Sequence, residues 1–156
     1  MTEEQLQLIA GQRDRFNALY QGLIKEFPAE AYSTDSSRGF NLTSIKAQYV
    51  VERLNEVCGV DGWALTGDYT SENGVVLFFG TLTINDGTKA HQQMAVGSAV
   101  IKKNVGDAYK GAQTDALSKA ASKFGLGNEV FKGNVAPPAA AKKAPARKLK
   151  STGSDF

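Results

Sequence analysis

The sequence predicts an α+β domain in which an antiparallel three-stranded β-meander packs against helices, in the order α-α-β-β-β-α. Three observations lead there. Asn73-Gly74, between two stretches of extended-type residues, is a strong hairpin signal. Asn85-Asp86-Gly87 makes a second turn and passes the chain to a third alternating stretch at residues 89–98. Before and after these strands, apolar residues recur at helical spacing.

The N-terminal helix starts at Thr2-Glu3-Glu4-Gln5, a capping box with Thr2 as N-cap and Gln5 at N3. Its apolar positions include Leu6, Ile9, Phe16, Leu19, Tyr20, Leu23 and Phe27, and Pro28 ends it. Residues 29–41, with the polar run Ser33-Thr34-Asp35-Ser36-Ser37-Arg38-Gly39, read as a loop. A second helix is expected from Thr43, presenting Ile45, Tyr49, Leu54 and Val57 and stopping at Gly59. Asp61-Gly62 then turns the chain into the first strand, residues 63–69.

The second strand, residues 75–84, carries Val76, Phe78, Leu82 and Ile84 on one face. Its other face holds Val75, Leu77, Phe79, Thr81 and Thr83, so a cover is expected on both sides. In the third strand Ala90, Met94 and Val96 alternate as the apolar set, which puts His91 and Gln93 on the outward face. Asn104 caps the last helix, whose stripe is Tyr109, Ala112, Ala116, Ala120 and Phe124 and which stops at Gly125-Leu126-Gly127.

Length bounds the rest: 156 residues make one domain able to bury a core. The expected organisation is an N-terminal helix over 1–28, a β-β-β-α domain over 29–133, and a low-complexity Ala/Pro/Lys tail over 134–156. With few large apolar residues the tail cannot offset its ordering entropy and is expected to be disordered. No apolar run reaches the ~18 residues of a membrane span, and the acidic start lacks a signal-peptide core. The single cysteine, Cys58, excludes an internal disulfide and suits a reducing cytoplasm.

Charge is uneven. Lys/Arg against Asp/Glu count 3 to 6 over residues 1–37, 6 to 3 over 98–133 and 5 to 1 over 134–156. A positive last third suits a phosphate-rich partner. Chemistry-bearing motifs are scarce. The one histidine and one cysteine cannot make a zinc site, and there is no P-loop. Asp61, Asp68 and Asp86 read as turn formers, so neither a cofactor nor an enzyme activity is expected.

What remains is basic. Lys119 and Lys123 share one helix face, with Asp115 placed to pair with Lys119 one turn earlier. Lys102, Lys103 and Lys110 lie around the N-terminus of the same helix, where backbone N–H groups also favour phosphate. Arg38 is the lone basic residue between Lys25 and Lys46.

The run from Lys110 to Asn128, Lys-Gly-Ala-Gln-Thr-Asp-Ala-Leu-Ser-Lys-Ala-Ala-Ser-Lys-Phe-Gly-Leu-Gly-Asn, resembles the signature helix of the Rad52/22 family of single-strand annealing proteins. Asn55-Glu56 with Gly59 and Gly62-Trp63, and Ser36-Ser37-Arg38, are similar to two further motifs of that family in the same order. The resemblance covers residues 29–133 and implies a domain that assembles into a homo-oligomeric ring. It also implies ATP-independent binding of single-stranded DNA and annealing of complementary strands in recombination and repair. Arg38 and Lys119 match groove-lining basic positions of the family, whereas Ser118 and Ser122 stand where relatives carry basic residues. Lys123 is then expected to supply the missing charge, and Lys102 or Lys103 to contribute to an outer site. The short chain looks like a phage or prokaryotic member, acting in a bacterial cytoplasm with a single-strand-binding protein or a recombinase. Rival readings are a double-stranded RNA-binding module, a small recombination nuclease and a structural oligomer.

Overall fold

The structure is a computed structural model that describes residues 1–37, 39–40 and 42–132; Arg38 and the basic tail lie outside the described residues. The elements are α1 (Glu3–Leu23), a 3-10 turn (Ala29–Ala31), β1 (Tyr32–Asp35), β2 (Leu42–Ile45) and α2 (Ala47–Cys58). They continue as β3 (Trp63–Glu72), β4 (Val75–Asn85), β5 (Ala90–Val100), α3 (Val105–Lys123) and α4 (Asn128–Phe131). The α+β meander is present as the antiparallel sheet β3-β4-β5, and β1 and β2 form a separate antiparallel pair. Among the described residues no helix is long and apolar enough to cross a membrane.

Local signals place most elements. Gln5 Oε1 accepts from Thr2 N at 2.9 Å while Thr2 Oγ1 accepts from Gln5 N at 3.3 Å, completing the capping box of α1. Asn73 and Gly74 both take positive φ, 52° and 75°, as a tight primed turn between β3 and β4 requires. The helix α1 stops at Leu23, ahead of Pro28, and its last carbonyls meet a buried arginine. Arg53 donates to the carbonyls of Leu23, Lys25 and Glu26 and lies 4.2 Å over the Phe27 ring. A cation at a helix C-terminus is favoured by the dipole, and here it also satisfies the partly buried carbonyls at and beyond the helix end.

Three expectations need correction. Residues 29–41 are not simply loop: they contain the 3-10 turn, all of β1 and the connection to β2. Polar residues disguise the hairpin, whose antiparallel ladder pairs Tyr32 with Ile45 through Asp35 with Leu42 and is reinforced by side-chain contacts. Ser33 and Ser44 hydroxyls hydrogen-bond across it at 2.9 Å, and Tyr32 Oη donates to Glu129 Oε1 of α4 at 2.5 Å. Burial, then the Glu129 hydrogen bond and charge, push the Tyr32 hydroxyl pKa up to about 12. Consequently Thr43 and Ile45 belong to β2, and α2 begins at Ala47 rather than Thr43. Asp68 lies within β3, opposite Phe79, and not in a turn.

The third correction concerns the sheet's faces. Val76, Phe78, Leu82 and Ile84 of β4 are buried, as their alternation predicts. In β5, however, the residues facing α3 are His91, Gln93, Ala95, Gly97 and Ala99, while Met94, Val96 and Val100 point away from it. The reason is steric. A Cβ on Gly97 would stand 1.9 Å from the Ala112 carbonyl oxygen, so β5 touches the α3 backbone directly. Gly97 leaves no room for a Cβ, and Ala95 and Ala99 flank it opposite the Ala108, Ala112, Ala116 and Ala120 stripe. The other face of β4, with Phe79 45% exposed, has no cover among the described residues, contrary to expectation.

Candidate nucleic-acid interface

The basic residues are placed by the way α3 runs along β5. Asp115 Oδ2 accepts the Ser98 N–H at 3.0 Å, Lys119 Nζ donates to the Val96 carbonyl at 3.4 Å, and Lys123 Nζ donates to the Met94 carbonyl. Steps of four along the helix thus meet steps of two along the strand, in the opposite direction. The pitches agree, about 6 Å for four helical residues and about 7 Å for two strand residues. Charged side chains of α3 therefore cover polar backbone groups on the side of β5 that has no neighbouring strand, a usual protection for an edge.

Asp115 also binds Lys119 at 2.8 Å, the i,i+4 pair expected from the sequence. An exposed pair of this kind is worth about 0.3–0.5 kcal/mol. The ammonium has three N–H groups; one meets Asp115 and one the Val96 carbonyl, leaving one for a ligand. The Lys119 side chain is 49% exposed, so that N–H is accessible.

Lys119 lines a cleft of about 320 Å³ between the β1–β2 hairpin and α3. Its lining includes the hydroxyl-bearing residues Thr43, Ser44, Thr114 and Ser118, the carboxylate of Asp115, and apolar Ile45, Val50 and Leu126. A cation among hydroxyl donors suits a phosphate backbone, and apolar surface suits a sugar or base. The hairpin is anchored at its root through Tyr32 and Glu129, and Lys46 Nζ binds the Glu30 carbonyl at 2.7 Å. Near its tip, Ser37 N donates to Asp35 Oδ1 at 2.9 Å, next to the position of Arg38.

The remaining predicted residues are not gathered into that cleft. Lys123, one turn beyond Lys119, lines a different hollow with Lys89 and His91. Lys102 and Lys103 line a third, with Asn104 and Asp107 at the start of α3. Asn104 Oδ1 caps that helix by accepting from Gly106 N at 2.9 Å, so its first turn is already partly satisfied. Lys110 is exposed on α3, about 14 Å along the axis from Lys119. Ser122 donates to the Lys119 carbonyl at 2.6 Å, a back-bond that turns its hydroxyl onto the helix itself.

The upstream motif has a structural explanation. Trp63 Nε1 donates to Asn55 Oδ1 at 2.7 Å, locking the end of α2 to the start of β3. Gly62 is required because a Cβ there would lie 1.8 Å from the Cys58 carbonyl oxygen. Cys58 is half-buried, and burial pushes its thiol pKa up, which suits packing rather than nucleophilic chemistry.

His91 was expected on the outward face but lies half-buried beneath α1. Its Nε2 is 2.9 Å from Asp86 Oδ2, and its ring centroid is 4.4 Å from that of Phe16. Among the described residues no group of three or more His, Cys, Asp or Glu is placed to hold a metal ion. Sequence reading missed the hydroxyls of Thr114 and Thr43, Arg53, and Lys89. Thr114 was inside the quoted helix motif, but its role depends on the hairpin folding back over it.

Comparison with known proteins adds one match. A family model described as Rad52/22 family double-strand break repair protein fits residues 15–146. No curated protein matches the chain.

Proposed function

Because the chain belongs to the Rad52/22 family of double-strand break repair proteins, we propose that it binds single-stranded DNA and anneals complementary strands without ATP. The observation that carries this reading is the hairpin–α3 cleft, which Lys119 lines together with Thr43, Thr114 and Ser118 at the family's signature helix. Annealing breaks and makes no covalent bond. It asks for phosphates held and partly neutralised while base edges stay free to pair. A cation with donor hydroxyls does the first, and a cleft open to solvent permits the second.

Assembly is part of the proposal. Met94 is 66% and Val100 63% exposed, and with Phe79 and Val96 they form an apolar sheet face without a cover among the described residues. Burying it between copies of the chain favours a homo-oligomer, and a ring would align successive clefts into one groove. Arg38 would add a further phosphate contact, and Lys102, Lys103 and Lys110 would act on strand segments outside the cleft.

The test is annealing of complementary oligonucleotides without nucleotide triphosphate, alongside native mass measurement. Lys119→Ala and Arg38→Ala are each expected to weaken single-stranded DNA binding. Each should also flatten the plot of log K against log salt by ~0.7. Parental binding by both variants at every salt concentration would reject the cleft as the binding site.

A further inference from the structure

The hollow that takes Lys123 is separate from the hairpin cleft and differs in character. Its volume is about 420 Å³, and it lies between Phe16 and Tyr20 of α1, Lys89 and His91 at the start of β5, and Lys123 at the end of α3. We propose that it seats one nucleotide of single-stranded DNA, with the phosphate between Lys89 and Lys123 and the base against the Phe16–His91 rings. This rests on the single-stranded DNA reading above and adds a base-contacting position to it.

Charge distinguishes this seat from the cleft. Lys119 shares its charge with Asp115, whereas Lys123 bonds a neutral carbonyl, that of Met94, and keeps two N–H groups. Lys89 is exposed, and its backbone N–H is held by Asp86 Oδ1 at 2.8 Å, which fixes the turn that presents it. The neighbouring carboxylate of Asp86 is already engaged. It accepts from Thr88 N, Thr88 Oγ1 and Lys89 N, meets His91 Nε2, and its side chain is 1% exposed. The hollow therefore presents two cations toward a ligand while its anion is covered by its own turn.

The aromatic side is equally defined. Phe16 and His91 are both half-buried, their rings 4.4 Å apart and tilted by 44°, and Asp86 holds the imidazole in place. A fixed ring pair at the margin of a cationic hollow is what sequence-independent strand binders use to hold a base by its face. Lys119 and Lys123 are one helical turn apart, about 6 Å along the axis, so one strand can pass from the cleft into this hollow.

The experiment measures binding of fluorescent oligo-dT, and of an abasic oligonucleotide of equal length, over a salt series. The proteins are the full chain, Lys89→Gln, Lys123→Gln and Phe16→Leu. Glutamine keeps an N–H donor for the Met94 carbonyl, and leucine keeps most of the apolar contact on His91. Each lysine variant should lose about 0.7 from the salt slope. Phe16→Leu should bind oligo-dT about fivefold or more weakly yet bind the abasic strand like the parent. Parental behaviour of all three variants, with Lys119→Ala still impaired, would overturn this seat and leave the cleft standing. Equal weakening of Phe16→Leu toward both oligonucleotides would overturn the base contact. Failure of the parent to bind either strand would overturn the DNA reading and the seat together.

Discussion

The two faces of the β3-β4-β5 sheet are built from similar alternating patterns and end in opposite environments. On one face Val76, Phe78, Leu82 and Ile84 are fully or almost fully buried. On the other, Phe79, Met94, Val96 and Val100 are each 45% or more exposed. Side-chain size separates them more clearly than hydrophobicity. Where the α3 backbone touches β5, that strand presents Gly97 and Ala99, and β4 supplies the large side chains beside them. Close approach of a small-residue helix selects the covered face, and the larger apolar set is left for another surface.

The largest effect that would break this contrast comes from the covered side. Gly97→Val puts atoms where the Ala112 carbonyl and the Ala116 amide already are. It should destabilise the fold by about 4 kcal/mol or more, or prevent folding, as read by the urea midpoint. Near-parental stability would show that α3 does not sit directly on β5.

A paired comparison of the two faces is next in size. Leu82→Ala removes a fully buried side chain and should cost about 3 kcal/mol. Phe79→Ser, on the bare face, should change monomer stability by about 0.5 kcal/mol or less. The same Phe79→Ser substitution should shift native mass toward smaller species. Equal destabilisation by both, with assembly unchanged, would place a cover over Phe79 within the chain.

The smallest effect concerns the β4–β5 turn that joins the faces. Hydrogen bonding to His91, followed by the Thr88 and Lys89 N–H groups, holds the Asp86 carboxyl below its ordinary range. The folded pKa lies below the unfolded one, so this stabilisation is present above about pH 4 and is lost as pH falls below that. Urea midpoints of the parent and Asp86→Asn should therefore differ at neutral pH and converge in acid. A difference that persists unchanged at pH 3 would show that the carboxylate charge is not what holds the turn.

Local chemistry made much of the molecule legible in advance. The Thr2 capping box, the Asn73-Gly74 turn, the Asn104 cap and the alanine stripe of α3 depend on neighbours within a few residues, and all are in the structure. The β1–β2 hairpin was not legible because its short strands are polar, and the contact that docks it, Tyr32 to Glu129, spans 97 residues. The exposed side of β5 was misread for a related reason. A period of two defines two faces but does not say which one a helix will cover.

The candidate site divides in the same way. The sequence by itself determined which cations are available and that Lys119 and Lys123 share a helix face, because helical geometry is local. Only tertiary structure decided that they line different hollows, that both reach the free edge of β5, and that Phe16 and His91 stand beside the second hollow. Those facts depend on three elements distant in sequence meeting at one end of α3, and residue order does not encode such contacts one by one.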